Sequence, residues 1–151
     1  MFIISLLIIV LDQVIKQYAI NNLKDGGPIS VIGDFFQLRY VENSGAAFGM
    51  LKDARLFFII ITLAVLVYVF YILIKKRDRL DKITKLLLAI FIGGTVGNFI
   101  DRLRFGYVVD FFSFDFGFYK FPVFNVADIA ITVSVAIFAL LVFTNRIDLD
   151  D

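Results

Sequence analysis

The sequence contains no cysteine, no histidine and no tryptophan, and it has only two prolines. Without cysteine, the chain has no disulfide, no thiol nucleophile and no thiolate ligand for zinc. Without histidine, Ser-His-Asp and Cys-His catalysis and histidine ligation of haem or zinc are excluded. Acid–base chemistry near neutral pH must therefore come from Asp, Glu, Lys or Tyr side chains whose pKa values are shifted by their surroundings.

The chain also has little net charge and far too many apolar residues for a soluble domain. Of its 151 residues, 60% are hydrophobic, and the formal net charge is only +1. The mean hydropathy is +0.90, whereas a soluble domain is about 45–50% apolar. The composition therefore predicts one integral-membrane domain over residues 1–151, and the charge gives no indication of nucleic-acid binding.

Four apolar segments are long enough to be considered as membrane spans, since a spanning helix needs about 20 residues. They are residues 2–20, 56–74, 84–102 and 122–143. The first is interrupted by Asp12 and Lys16, and it is expected to be a retained helix because it lacks a basic n-region and a small-residue cleavage site. The third is Gly-rich, and its apolar part, residues 86–100, would be only about 22 Å long as a helix. The prediction is an all-α membrane protein with four transmembrane helices.

The loops indicate the orientation of these helices. Residues 75–85 contain six basic side chains in eleven positions, which places this short loop in the cytoplasm. Both termini are then cytoplasmic, and loops 21–55 and 103–121 face outward. Within the first outer loop, the alternating residues 36–40 predict a β-hairpin or small sheet, and residues 45–51 suit a short amphipathic segment on the membrane surface.

Several polar residues interrupt the predicted helices, and such residues are functional candidates because burying them in lipid is costly. Asp12 and Lys16 are i,i+4 and share one helix face; a structural ion pair explains them at least as well as chemistry. Gly94, Asn98 and Arg102 form one stripe on the third helix. Beside it, a Gly93/Gly97 GxxxG pattern indicates close helix packing.

The ends of the predicted spans carry further polar residues with ordinary structural explanations. A capped, snorkelling helix end would account for Asn98, Asp101 and Arg102 without any chemistry. In the first outer loop, Asn43, by itself, is a turn signal and nothing more.

Two aspartates are harder to explain structurally. Asp110 lies among large apolar residues in the second outer loop, and Asp128 is expected about two turns into the fourth helix, roughly 10 Å from its outer end. An aspartate at that depth is normally protonated or paired, and the loop that carries Asp110 leads directly into this helix. Because the polar intrusions all lie in the outer half of the protein, they predict one polar site there.

Two neighbouring carboxyl groups share a proton, since both cannot ionise cheaply. The ionised group can accept a proton from water while the protonated group donates to a carbonyl oxygen, as in aspartic proteases. This chemistry needs no histidine, cysteine, metal or cofactor. The same pair is equally compatible with a proton or cation relay, so the spacing alone does not decide between them.

Five stretches, in order, resemble the characteristic blocks of the lipoprotein signal peptidase (signal peptidase II) family. They are DQVIK at residues 12–16, NSGAAFG at 43–49, GGTVGNFIDR at 93–102, VVDF at 108–111 and FNVAD at 124–128. The resemblance implies a bacterial membrane aspartyl peptidase that removes signal peptides from prolipoproteins, cutting before a diacylglyceryl-modified cysteine. It also implies a small extracytoplasmic β-sheet, or β-cradle, with a short surface helix in the first outer loop.

The resemblance further implies roles for individual residues. Asp110 and Asp128 correspond to the catalytic pair, and Asn43 and Arg102 to residues that hold the substrate backbone and neighbouring loops. Asn98 and Asn125 correspond to polar residues around the pair, with Gly94 counted among the supporting residues. The Asp12–Lys16 motif corresponds to a mainly structural pair.

The expected partners are a lipid-modified prolipoprotein and membrane lipids, without nucleic acid. A monomer in the bacterial cytoplasmic membrane is expected, with no metal or cofactor. Two other functions remain as alternatives. A proton- or ion-coupled transporter could use Asp12, Lys16 and Asp128, but it would need a polar path, and residues 67–74 and 134–143 are almost wholly apolar. A non-catalytic scaffold would have no use for a buried acid pair.

The predicted orientation can be tested by cysteine labelling, because the chain has no cysteine of its own. Arg79→Cys should not react with a membrane-impermeant thiol reagent added to intact cells, whereas Asn43→Cys should. Reaction at position 79 in intact cells would mean that the topology is inverted.

Overall fold

The computed structural model describes residues 2–45, 50–51 and 53–144. In these residues there are four helices: α1 (Phe2–Leu23), α2 (Arg55–Lys75), α3 (Lys82–Arg104) and α4 (Val126–Phe143). There are also three strands: β1 (Ile29–Ile32), β2 (Phe36–Asn43) and β3 (Val108–Phe114). The predicted surface segment at residues 45–51 falls largely on residues 46–49, which lie outside the described part of the chain.

All four helices are long and apolar enough to cross a membrane, which confirms the predicted fold class. The third helix is longer than its apolar part suggested. It has 23 residues, or about 34 Å at 1.5 Å per residue, because polar turns continue the helix at both ends. At its start, the Asp81 carboxylate accepts a hydrogen bond from the Thr84 backbone N–H. The helix therefore spans a hydrocarbon core of about 30 Å without thinning of the bilayer.

The fourth helix begins later than predicted, at Val126 instead of residue 122. Phe124 is in extended conformation and pairs with Phe112, and Asn125 is the N-cap. Asp128 consequently lies in the first helical turn, at position N3, and not two turns into the helix. The prediction was wrong here because a short buried apolar run has the same composition in a strand as in a helix.

The three strands form one antiparallel sheet in the order β1-β2-β3. The first two strands confirm the small sheet predicted in the first outer loop. The third strand lies in residues 103–121, which were predicted as a loop. It does not alternate, since Val108, Val109, Asp110 and Phe111 are all buried, and a period-2 search therefore misses it. Pairing places Val41 opposite Asp110 and Asn43 opposite Val108.

Helix α3 lies at the centre of the bundle, and its glycines allow the neighbouring helices to approach closely. A Cβ atom at Gly94 would lie 2.5 Å from the carbonyl oxygen of Ala127 in α4. At Gly97 it would lie 2.6 Å from the Asp12 carboxylate in α1, and at Gly93 2.8 Å from Ile8. The glycines thus serve the close packing that the GxxxG pattern predicted.

A buried ion cluster joins α1 to α3 and α4. The Lys16 ammonium, in a side chain only 2% exposed, lies 2.8 Å from Asp12 Oδ2 and 2.9 Å from Asp101 Oδ2. It also donates to Asn98 Oδ1 at 2.9 Å. Asp12 Oδ1 accepts from the backbone N–H of Ala127 at the start of α4. All three donor positions of the ammonium therefore have acceptors, which is the arrangement of a structural ion cluster.

The same cluster extends to the sheet through Asp101. Its Oδ2 atom accepts from the Val109 backbone N–H at 3.0 Å, and its Oδ1 atom accepts from Gln13 Nε2 at 2.9 Å. Because Val109 precedes Asp110, this bond fixes the position of β3 against α3. Three helices and one strand thus depend on a single buried cation and its two carboxylates.

Replacement of Asp12 should lower the stability of the folded protein more than its turnover per folded molecule. Asp12→Asn keeps an acceptor for Ala127 but removes one charge partner of Lys16, which retains Asp101. Loss of one hydrogen bond to a buried charge costs about 1.5–3 kcal/mol. We expect a lower unfolding temperature in detergent, with residual turnover per folded molecule. Asp34→Asn, in the exposed turn between β1 and β2, is the matched control and should leave both unchanged. A fully stable Asp12→Asn protein without turnover would contradict the structural role.

Candidate active site

A cavity of about 760 Å³ opens at the end of the bundle that carries the sheet. It lies between β2, β3, the C-terminal turns of α3 and the beginning of α4. Its polar wall includes Asn43, Asn98, Arg102, Asp110 and Asp128, and its apolar wall includes Phe121, Pro122, Val123, Phe124, Ile129 and Val133. The cavity is therefore amphipathic, with both aspartates of the predicted pair on one side.

Asp110 lies at the middle of β3, and its side chain is buried. Asn125 Nδ2 donates to its Oδ1 atom at 2.7 Å, and Asn43 Nδ2 donates to its Oδ2 atom at 2.9 Å. Burial, and then the negative charge of Asp128, raise the pKa of Asp110 to about 7, while the two amide donors oppose that shift. At neutral pH, therefore, this carboxyl group holds its proton much more strongly than an ordinary aspartate.

Asp128 has a different environment on the first turn of α4. Its Oδ1 atom accepts from Asn98 Nδ2 at 2.8 Å, and its Oδ2 atom accepts from the backbone N–H of Asn125 at 3.1 Å. The side chain is partly exposed to the cavity. Both carboxylate oxygens of Asp128 therefore have an N–H donor, and the side chain lies at the positive end of the α4 dipole.

Asn125 connects the two aspartates. Its Nδ2 atom donates to the Asp110 carboxyl group, and its Oδ1 atom accepts from the Asp128 backbone N–H at 2.9 Å. Asn125 is fully buried and serves as the N-cap of α4 in a reciprocal capping box with Asp128. A single side chain therefore holds the strand that carries one carboxyl group against the helix that carries the other.

Asn98 connects Asp128 to the ion cluster. The Lys16 ammonium can only donate, so the Asn98 oxygen must face it. The same oxygen accepts from Asn125 Nδ2 at 3.1 Å. The Asn98 amide nitrogen is thereby directed at Asp128, and its orientation is set by a charge on another helix.

Arg102 lies at the rim of the cavity, one turn beyond Asn98. Its guanidinium group stacks on the ring of Phe58 in α2 at 4.7 Å and donates to the Gly45 carbonyl oxygen at 3.4 Å. Arg55, at the start of α2, donates to the backbone carbonyls of Arg102 and Leu103 at 2.9 and 2.8 Å. The charge of Arg102 is thus held at the cavity by α2 and by the loop after β2.

The structure brings together most of the residues predicted for the site. Asn43, Asn98, Arg102, Asp110 and Asp128 line the cavity, and Asn125 lies directly behind it. Gly94 does not line the cavity and instead makes the contact between α3 and α4. Asn43 is the last residue of β2. Its Oδ1 atom accepts from the Gly45 backbone N–H at 3.0 Å, the local bond of an asparagine that begins a turn, and its amide nitrogen is directed at Asp110.

Three contributions were not predicted from the sequence: Gln13, Asp101 as a partner of Lys16 and Val109, and Arg55 with Phe58. Asp101 lies one turn after Gly97, on the face of α3 that packs against α1, and this spacing could have identified it as a partner of Lys16. Asp101 was instead interpreted as part of a capped helix end. Within the described ranges, no group of three Asp or Glu side chains is arranged to hold a metal ion.

Comparison with known proteins agrees with this geometry. The sequence profile of the family described as Signal peptidase (SPase) II matches residues 4–144. A lipoprotein signal peptidase of Clostridium tetani is 46% identical over 148 residues, covering 97% of this chain and 92% of that protein. Another, from Caldanaerobacter subterraneus, is 47% identical over 135 residues and covers 89% of each chain.

Solved structures show the same fold. One bacterial membrane enzyme, determined by the in meso method at 2.3 Å resolution, has a TM-score of 0.83 and 34% identity, covering 99% of this chain and 92% of that one. A second, at 1.9 Å resolution, has a TM-score of 0.79 and 36% identity, covering 92% and 90%. With the family profile matched over nearly its whole length, this multi-pass bacterial membrane protein belongs to the signal peptidase II family of peptidases.

Proposed function

We propose that this protein removes signal peptides from diacylglyceryl-modified prolipoproteins, cutting before the lipidated cysteine, with Asp110 and Asp128 as its catalytic residues. The observation that carries the proposal is the Asn125 side chain, which bonds to the Asp110 carboxyl group and to the Asp128 backbone. It places two acid groups from different elements on one cavity. Membership of the peptidase family supplies the reaction type.

The two carboxyl groups are not equivalent, and the difference assigns their roles. Asp110 is buried on a strand and retains its proton to a pH of about 7. Asp128 is partly exposed at a helix N-terminus, where negative charge is favoured. Asp110 is therefore the general acid at the start of the reaction, and Asp128 is the general base. This is the division of labour by environment that two carboxylates require.

The reaction follows from these protonation states. The Asp128 carboxylate takes a proton from a water molecule as the water oxygen attacks the scissile carbonyl carbon, while Asp110 protonates the carbonyl oxygen. A neutral tetrahedral diol results. Asp128 then gives its proton to the leaving nitrogen, the C–N bond breaks, and Asp110 recovers a proton from one diol hydroxyl. The pair ends with one shared proton, as it began.

The rest of the cavity suits a peptide that carries a lipid. Arg102 cannot lose its charge, and its planar group has five donors for peptide carbonyl oxygens. On the opposite wall, Ile129 and Val133 continue from Asp128 along α4 for about 7 Å. An apolar acyl chain can follow this wall into the bilayer while the peptide remains at the polar end.

The site also has the depth that such a substrate requires. Asp128 lies in the first turn of a membrane-spanning helix, and Asp110 lies on the adjacent sheet. A peptide anchored by a diacylglyceryl group presents its scissile bond near the membrane surface. We infer that the sheet end faces outward, opposite the basic loop at residues 75–85, with both termini in the cytoplasm, and that the protein acts as a monomer.

A transporter that uses Asp12, Lys16 and Asp128 finds little support. Asp12 and Lys16 are 0% and 2% exposed, and both are held in the ion cluster by charged and backbone partners. Neither side chain lines the cavity. Ion movement would require breaking contacts that join three helices.

Substitution of either catalytic aspartate should abolish cleavage without unfolding the protein. Asp110→Asn and Asp128→Asn are nearly isosteric but cannot exchange a proton, and loss of a general acid or base costs about 10²–10⁴-fold in rate. The double variant should be no less active than either single variant, because the pair works as one unit. The assay is cleavage of lipidated and unlipidated forms of one prolipoprotein by purified protein, scored by gel shift.

Asp34→Asn is the control for this assay, since Asp34 lies in an exposed turn away from the cavity. It should cleave the lipidated substrate at the wild-type rate. Near-wild-type cleavage by purified Asp110→Asn or Asp128→Asn would show that these residues are not the catalytic pair.

Activity should decline on the alkaline side of neutrality. Because the pKa of Asp110 is raised to about 7, its proton is present below that pH and is lost above it. The pair then carries two negative charges and has no general acid. We expect kcat/KM to fall about tenfold per pH unit well above pH 7, as measured with the lipidated substrate in a constant ionic-strength buffer series. A profile that stays flat to pH 9 would exclude Asp110 as the acid.

A further inference from the structure

An aromatic hairpin protrudes between β3 and α4. We use this name for residues 115–121. The Phe116 N–H donates to the Tyr119 carbonyl and the Phe121 N–H to the Phe114 carbonyl, both at 2.9 Å. Gly117 has a φ of +82°, which is readily adopted only by a residue without a side chain. The hairpin is therefore a regular tight turn and presents its side chains in fixed directions.

The tip of this hairpin is apolar and exposed. Phe118 is 93% exposed, more than any other large hydrophobic side chain in the described residues, and Phe116 is 47% exposed. The tip, residues 116–119, carries no charge. The nearest charges are at its base, where Lys120 and Asp115 form an ion pair at 3.1 Å. Exposed apolar surface of this kind, bounded by polar groups, marks an interaction site.

The exposed surface continues in two directions. Towards the sheet, Phe35 in the β1–β2 turn packs edge-on against Phe116, with ring centroids 5.3 Å apart. Towards the bundle, Phe121 packs edge-on against Phe124 at 5.7 Å, immediately before α4. On α4, Ile129 and Val133 are 42% and 45% exposed, as lipid-facing side chains of a membrane helix are.

The hairpin and this face of α4 also border the same cavity. Phe121, Ile129 and Val133 all contribute to its apolar wall. From the rim, ring contacts lead to the tip: Phe124 with Phe114 at 5.9 Å, Phe114 with Phe35 at 5.6 Å, Phe35 with Phe116 at 5.3 Å and Phe116 with Phe118 at 6.5 Å. The apolar surface therefore runs through aromatic contacts from the lipid-facing side of α4, along the cavity rim, to the Phe118 side chain. Continuity with a lipid-facing surface identifies lipid, rather than another protein, as the material that covers the tip.

We propose that the aromatic hairpin inserts into the outer leaflet of the membrane beside the cavity opening. Phe116 and Phe118 then lie among the upper acyl chains, and the Asp115–Lys120 ion pair remains among the headgroups, where both charges are hydrated. Aromatic side chains are favoured at this depth. The insertion fixes the height of the cavity rim relative to the lipid, and, resting on the proposed function, it guides the substrate acyl chains from the bilayer to the apolar wall.

Insertion can be measured directly because the protein contains no tryptophan. Phe118→Trp introduces the only tryptophan of the chain, at a position where the native ring makes few contacts, so folding should be retained. In phosphatidylcholine vesicles we expect blue-shifted emission, quenched more by lipids brominated near the headgroup end of the acyl chain than by lipids brominated near its methyl end.

Two other single-tryptophan variants calibrate the depth. Val67→Trp, on the exposed surface in the middle of α2, should be quenched most by the deep bromines. Asp78→Trp, in the polar loop before α3, should show little quenching by either lipid. Unshifted, unquenched emission from Phe118→Trp would place the tip in water. A blue shift without bromine quenching would show that protein, such as a second copy of the chain, covers it. Either result would overturn the proposal.

The role in substrate entry has its own test. Phe118→Ser should raise KM for a lipidated prolipoprotein in vesicles severalfold while kcat is retained, because the catalytic groups are untouched. Phe143→Ser, at the opposite end of α4 and 87% exposed, is the matched control and should behave as wild type. An unchanged KM in Phe118→Ser would overturn the role in entry. Fluorescence quenching is independent of catalysis, so failure of the proposed peptidase activity would be seen separately.

Discussion

The buried ammonium group of Lys16 is the interaction on which the rest of the structure depends. A cation 2% exposed within a membrane bundle is tolerable only if its charge is compensated and its donors are satisfied, and Asp12, Asp101 and Asn98 meet both requirements. Each of these partners has a second bond to another element. Asp12 reaches the start of α4, Asp101 reaches β3, and Asn98 reaches Asp128. The position of one charge thus determines where the elements that carry Asp110 and Asp128 lie.

The asymmetry of the aspartate pair arises from the elements that carry its members. Asp110 lies on a buried strand and is bonded by two side-chain amides, whereas Asp128 lies at a helix N-terminus and is bonded by one backbone N–H and one side-chain amide. The fold supplies two different environments for one kind of side chain, as required by a sequence without histidine and cysteine.

Sequence reasoning was effective where physical constraints are strong and local. Apolar length identified four helices, and glycine spacing on α3 indicated where they approach closely. The grouping of Asn43, Asn98, Arg102, Asp110 and Asp128 followed from the location of polar residues and from family resemblance. Prediction from the sequence failed where several structures satisfy the same pattern of residues. Residues 122–124 are apolar whether extended or helical, and β3, whose first four residues are all buried, shows no alternation. The partnership of Asp101 with Lys16 depends on the rotation of α3 about its axis, which a stripe of residues does not determine.

The capping box at the start of α4 makes one residue serve both the helix start and the candidate site. The Asp128 carboxylate accepts a hydrogen bond from the backbone N–H of its own N-cap, Asn125, and the Asn125 side chain donates to the other acid group. A redesign that replaced Asn125 by serine or threonine would keep a good helix start and still release Asp110 from its partner. The first turn of this helix is therefore a poor place to engineer stability. Any cap without a side-chain amide would remove the hydrogen bond that holds Asp110 against the start of α4.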